Sequence, residues 1–127
     1  MKLERLDHFG LDVSDLSRAE RFYTQVLGLN VVARFGDQVL MQCGDQNLAI
    51  FRVSHPPLSA ADRAARIGHP LGQSHHAFRV SREDFQRARD QLAQAGMESA
   101  QPIDWGDHDC VYFLDPDGNL LEIVSYR

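Results

Sequence analysis

His8-Phe9-Gly10-Leu11-Asp12-Val13-Ser14 and His75-His76-Ala77-Phe78-Arg79-Val80-Ser81 are two versions of one phrase. Each leads into an amphipathic stretch that closes on a glycine, Gly28 in the first copy and Gly96 in the second. His8 with His75, Val13 with Val80 and Ser14 with Ser81 keep one constant offset, and the two glycines stand one residue further apart. A duplication of this length is half a domain, and two halves packed about a pseudo-twofold leave a cleft between them. Two histidines at matched positions of the halves are expected to meet in that cleft.

Outward from these phrases, the hydrophobic pattern predicts the same order of elements twice. In residues 8–13, Phe9, Leu11 and Val13 alternate with His8, Gly10 and Asp12, the period of a half-buried strand, with His8 and Asp12 on one side. Ser14 reads as a helix N-cap. Leu16, Ala19, Phe22, Tyr23, Val26 and Leu27 form one apolar stripe of a helix that Gly28 stops. Strands follow at 29–34, 38–43 and 48–53, with turns at 35–37 and 44–47. In the second copy, a strand over 75–80 precedes Ser81 and Asp84, which fit a capping box. Phe85, Ala88, Leu92 and Ala95 make the next helical stripe. A weak strand at 98–101, a strong one at 110–114, the tight turn Asp115-Pro116-Asp117-Gly118 and a last strand at 119–126 complete the copy. The expected fold class is α+β, two βαβββ modules forming a half-barrel cleft. Module one covers about 4–53 and module two about 74–127. Residues 54–73 act as a linker or lid, with a short helix at 59–67.

At 127 residues the chain suits one domain with a real core. A net charge of −5 argues against a nucleic-acid partner, because phosphate backbones need a basic face. No apolar run is long enough to span a membrane, and Met1-Lys2-Leu3-Glu4-Arg5 leads into no signal-peptide core, so a cytoplasmic location is expected. Cys43 and Cys110 are too few for a disulfide framework and are expected to pack as small apolar residues in strands.

Glu122 sits inside Leu120-Leu121-Glu122-Ile123-Val124. Taken alone, it reads as the solvated face of an alternating strand, and His8 alone reads as a strand histidine satisfied by a hydrogen bond. Together, His8, His75 and Glu122 make a two-imidazole, one-carboxylate set. That set holds Fe, Mn, Zn or Ni as a divalent ion and leaves positions open for a small-molecule substrate. Within a strand His76 points away from His75, so His75 is taken as the ligand and His76 as a packed ring. His55, His69 and His108 are read as solvated loop residues. Tyr112 and Cys110 share a strand face, and Tyr112 is a candidate hydrogen-bond donor or general acid. Trp105, in the loop before that strand, either stacks on a ligand or caps the open end of the half-barrel. Asp12 and Arg79 either orient the imidazoles or point to solvent.

The chain resembles the vicinal oxygen chelate superfamily, the group of glyoxalases, bleomycin-resistance proteins and extradiol dioxygenases. The likeness is carried by residues 6–13 with Arg21-Phe22-Tyr23 and Leu27-Gly28-Leu29, by 74–80, and above all by Val111-Tyr112-Phe113-Leu114-Asp115-Pro116-Asp117-Gly118-Asn119-Leu120-Leu121-Glu122-Ile123. It implies paired βαβββ modules around one metal, and dimers that pair modules between chains. It also implies a metal that chelates neighbouring oxygens of a substrate as Lewis acid or site of oxygen activation. A fourth ligand, which glyoxalase I takes from the last strand of the first module, is missing, since Ala49 or Ile50 stands there. Fosfomycin-resistance thiol transferases match at Tyr112 and in the 112–118 ending. They differ at Gly10, where they carry threonine, and in the cations that hold the phosphonate, which disfavours that activity. The resulting expectation is a metal-dependent dioxygenase or lyase/isomerase acting on a small oxygen-rich substrate. The alternative is a metal-free drug-binding protein of the bleomycin-resistance kind. Long strand edges predict a homodimer.

Overall fold

The structure, a computed structural model, describes all residues 1–127. The chain divides into two compact units, Met1–Pro57 and Leu58–Arg127. The first holds β1 (His8–Val13), α1 (Leu16–Arg21) running into a π-helical turn (Phe22–Val26), β2 (Asn30–Phe35), β3 (Gln38–Cys43) and β4 (Gln46–Arg52). The second holds α2 (Ala60–Gly68), β5 (His76–Arg79), α3 (Arg82–Gln94), β6 (Ile103–Asp104), β7 (His108–Leu114) and β8 (Leu120–Tyr126). Each unit has one four-stranded open sheet, ordered β1-β4-β3-β2 in the first and β5-β8-β7-β6 in the second. In both, the opening strand lies parallel to the closing strand and the other pairings are antiparallel. The duplicated βαβββ order read from the sequence is therefore repeated in hydrogen-bonding topology.

Local chemistry explains where the elements begin and bend. The cap of α1 is Asp15, not Ser14. Asp15 is extended and its carboxylate accepts from the Arg18 N–H at 2.9 Å, while the Ser14 hydroxyl accepts from the Arg18 guanidinium at 3.2 Å. The helix then widens. The Thr24 hydroxyl bonds back to Glu20 O at 2.7 Å, and the Leu27 N–H reaches Phe22 O at 3.2 Å, five residues back. The wide turn buries Phe22 and Tyr23 together, with their rings edge to face at 5.1 Å. In the second unit, Ser81 caps α3 as its spacing with Asp84 predicts, accepting from the Asp84 N–H at 3.1 Å and donating to its carboxylate at 2.9 Å.

Three boundaries differ from the sequence reading. The strand expected at 98–101 is reduced to a bridge between Ser99 and Phe113, and the true edge strand is β6, after Pro102, which has no N–H to give a ladder. β7 begins at His108 rather than Cys110. β5 begins at His76, so His75 lies just before the strand.

Residues 58–73 are fastened to the second unit. The Leu58 N–H donates to Asp117 O at 3.1 Å, and Arg63 donates to Asp115 O and Pro116 O, both at 3.0 Å. Arg66 reaches Gly118 O at 2.7 Å. The turn they grip is built on fully buried Asp115, whose carboxylate accepts from the Asp117 N–H, the Asn119 N–H and the Asn119 amide, each at 2.9 Å. Gly118 has φ +93°, and a Cβ there would come within 2.6 Å of the Leu58 side chain. Beside this turn, Cys110, Tyr112, Leu114, Leu120 and Val124 form a buried cluster against which Ile67, Ala100 and Ile103 pack. No helix is long and apolar enough to cross a membrane.

Candidate metal centre

β8 places Glu122 opposite Tyr112 on β7 and opposite Ala77 on β5. Strand alternation sets Glu122 on the same sheet face as Leu120, Val124 and Tyr126, and as His108, Cys110, Tyr112 and Leu114 of the neighbouring strand. Glu122 is buried, and His75 Nε2 lies 3.0 Å from its Oε2. His75 Nδ1 stands 2.8 Å from Gln73 O. A carbonyl only accepts, which assigns the ring proton of neutral His75 to Nδ1 and leaves a lone pair at Nε2. That lone pair faces a carboxylate oxygen, so two acceptors meet across 3.0 Å. Such a pair calls for a cation between its atoms. A nitrogen and an oxygen at this separation also suit adjacent positions around one ion with bonds of about 2.1 Å. The residues therefore fit a divalent metal. The Tyr112 ring meets the His75 ring edge to face at 5.0 Å and fixes its tilt.

Behind the pair, Trp105 Nε1 donates to Cys110 Sγ at 3.4 Å. Burial, reinforced by the Glu122 carboxylate against the pull of the Trp105 hydrogen bond, pushes the Cys110 thiol up to about 11. Burial, then Glu122 and Cys110, raises the Tyr112 phenol as well, so both groups hold their protons at neutral pH. Cys43 is exposed and Cys110 buried. Iodoacetamide at pH 8 is expected to modify Cys43 and spare Cys110, seen as a single adduct by peptide mass spectrometry. Equal labelling of both thiols would contradict this environment.

In the first unit, His8 is exposed on β1 with Nδ1 2.9 Å from the Asp7 carboxylate. Here Gly10 faces Ala49, and Ala49 faces Leu40, in the register that Ala77, Glu122 and Tyr112 occupy in the second unit. Ala49, not Ile50, is thus the counterpart of Glu122, and the first copy supplies an imidazole without a carboxylate. Phe51 leans over Gly10, where a Cβ would come within 3.1 Å of its ring. No three His, Cys, Asp or Glu side chains converge within either unit.

His76 begins β5 and is half-buried. Burial and then the neighbouring His75 lower its affinity for a proton. His55 and His69 are exposed, as expected. His108 is not a solvated loop residue. It opens β7, half-buried, with its ring 6.2 Å from Trp105 at 19° and 5.0 Å from Tyr126. The alternation that runs back from Tyr112 through Cys110 carries this signal. The Arg79 guanidinium lies over the Tyr126 ring at 5.1 Å. An open groove of about 650 Å3, lined by Ile67, His69, Leu71, Ala100 and Ile103 among others, runs between the end of α2 and β6.

The family described as Glyoxalase/Bleomycin resistance protein/Dioxygenase superfamily matches residues 5–123. The chain belongs to this superfamily. Among its relatives, glutathione transferase FosA of Serratia marcescens is 32% identical over 95% of this chain and 80% of its own. Metapyrocatechase 2 of Cupriavidus necator is 32% identical over 93% of this chain and 32% of its own. Among solved structures, the fosfomycin resistance protein FosX of Listeria monocytogenes shares the fold with TM-score 0.78 at 17% identity, over 99% of this chain and 96% of that one.

Proposed function

We propose that this member of the superfamily is a divalent-metal-dependent enzyme in which His8, His75 and Glu122 hold one ion and a small oxygen-bearing substrate joins it. The observation that carries this reading is the buried His75–Glu122 pair, two acceptors 3.0 Å apart. Membership in a superfamily that includes a metallothiol transferase and a metapyrocatechase supports it. Bound there, Fe, Mn, Zn or Ni would supply a Lewis acid or a site of oxygen activation. The chain's own residues do the rest. Gln73 O fixes the His75 tautomer and the Tyr112 ring fixes its plane. The protonated Tyr112 phenol is the candidate catalytic donor, and Trp105 with Tyr112 contacts substrate. Dioxygenase or lyase/isomerase chemistry is the reading for the reaction, in a cytoplasmic homodimer. A metal-free drug binder of the bleomycin-resistance kind has no use for a buried acceptor pair.

A second reading, thiol transfer to a phosphonate epoxide, is favoured by the 32% identity to glutathione transferase FosA. It is tested directly by glutathione consumption in the presence of fosfomycin.

The test of the ligand set is metal content by mass spectrometry on untagged protein, wild type beside His8→Ala, His75→Ala and His76→Ala. One equivalent is expected in wild type and His76→Ala, and a trace in the other two. Metal retained in His75→Ala but lost in His76→Ala would sink the assignment. Mixing His8→Ala with Glu122→Ala protein and recovering metal would reveal a site shared between two copies, whereas a monomer in sedimentation at micromolar concentration would remove the homodimer.

A further inference from the structure

We propose that Trp105, His108 and Tyr126 form a stacking subsite, so that the compound taken at the His75–Glu122 pair is a planar aromatic one bearing adjacent oxygens. This rests on the metal reading above and adds a substrate class to it. The three rings stand on the sheet face that carries Glu122. Trp105 lies near parallel to His108, His108 meets Tyr126, and Arg79 covers Tyr126. Rings at 5–6 Å favour further π contacts. The indole is also held in place: its N–H is committed to Cys110 Sγ, and its backbone N–H donates to His108 O at 2.9 Å. Yet Trp105 is 50% exposed and Tyr126 45% exposed. A fixed, half-bare indole has already lost its rotamer freedom, so stacking on it costs little further entropy. It is close to the metal pair, because the one side chain between the indole and Glu122 is Cys110, which touches both.

Charge points the same way. The chain's lysine is Lys2. In the second unit, Arg63 is spent on Glu98 and the Asp115 turn, Arg66 on Gly118 O and Arg79 on Tyr126. Arg82 pairs with Asp109, and Arg127 with Asp104 and Asp109. These cations are engaged, so a polyanionic head such as a phosphonate finds no ready partner among them, whereas a neutral ring finds a prepared surface.

Trp105 is the chain's single tryptophan, so its emission reports on this subsite alone. The experiment titrates metal-loaded protein with naphthalene-2,3-diol, trans-cyclohexane-1,2-diol and fosfomycin, following emission and calorimetry. Saturable quenching by the naphthalenediol is expected, with affinity well above that for the saturated diol. Trp105→Leu and Tyr126→Leu should each weaken the naphthalenediol roughly tenfold and leave the cyclohexanediol unchanged, while Trp105→Phe keeps most of the affinity. In chelator-treated protein, quenching should persist at higher ligand concentration. Failure of the metal assignment with quenching intact would leave the subsite standing. Equal binding of the naphthalenediol by wild type and Trp105→Leu would overturn it, as would tighter binding of fosfomycin than of the ring.

Discussion

Glu122→Ala is expected to leave the protein folded and nearly empty of metal, with turnover down roughly a thousandfold or more, since a metal supplies several kcal/mol at the transition state. The carboxylate is the one anionic donor among the three proposed ligands, and removing it leaves neutral imidazole. Glu122→Gln sharpens the test. Its amide N–H2 group can face His75 Nε2, turning two opposed acceptors into a donor–acceptor pair. Without metal, Glu122→Gln should therefore match or exceed wild type in thermal stability, while binding metal as poorly as Glu122→Ala. Measuring metal content and melting temperature in chelator, for all three proteins, separates the two effects. A Gln variant less stable than metal-free wild type would mean that the pair is not strained by facing lone pairs.

Asp115→Ala should unfold far more easily than wild type, by about 3 kcal/mol, because three donors lose one buried charged acceptor together. A drop of about 10 °C in melting temperature corresponds to that loss. Gly118→Ala acts on the same turn by a different route, since it combines a left-handed backbone with a clash against the base of the Leu58 side chain. A shift in urea midpoint for both variants, with Asp115→Ala the larger, is the expected pattern. Unchanged midpoints would mean that the turn is held by the chain on either side of it.

Much of this was legible in the sequence for identifiable reasons. The repeated histidine phrase predicts the duplicated topology because a strand, helix and glycine stop in the same order fold in the same way twice. Glu122 stood out because an ionised group inside an apolar strand needs a partner, and His75 lies beside it. His108 was missed because a histidine next to Asp107 and Asp109 looks like loop, whereas ring packing with Trp105 and Tyr126 extends β7 through it. Ser14 lost the cap to Asp15 because both are good caps and only backbone geometry chooses between neighbours. The anchoring of residues 58–73 was hidden because backbone carbonyls, which hold Arg63 and Arg66, leave no mark on composition.

That anchoring has a consequence for how such a gene tolerates rearrangement. The seam between the two copies falls between Pro57 and Leu58, ahead of the segment fastened to the Asp115 turn. Foreign sequence spliced at that seam spares Arg63, Arg66 and Leu58 their partners. The same splice between Gln73 and Ser74 would stretch the chain that ties α2 to His75, whose ring leans on Gln73 O. Length variation in natural lineages, and the crossover points of engineered chimaeras, should accumulate at 54–57 and thin out from Leu58 onward.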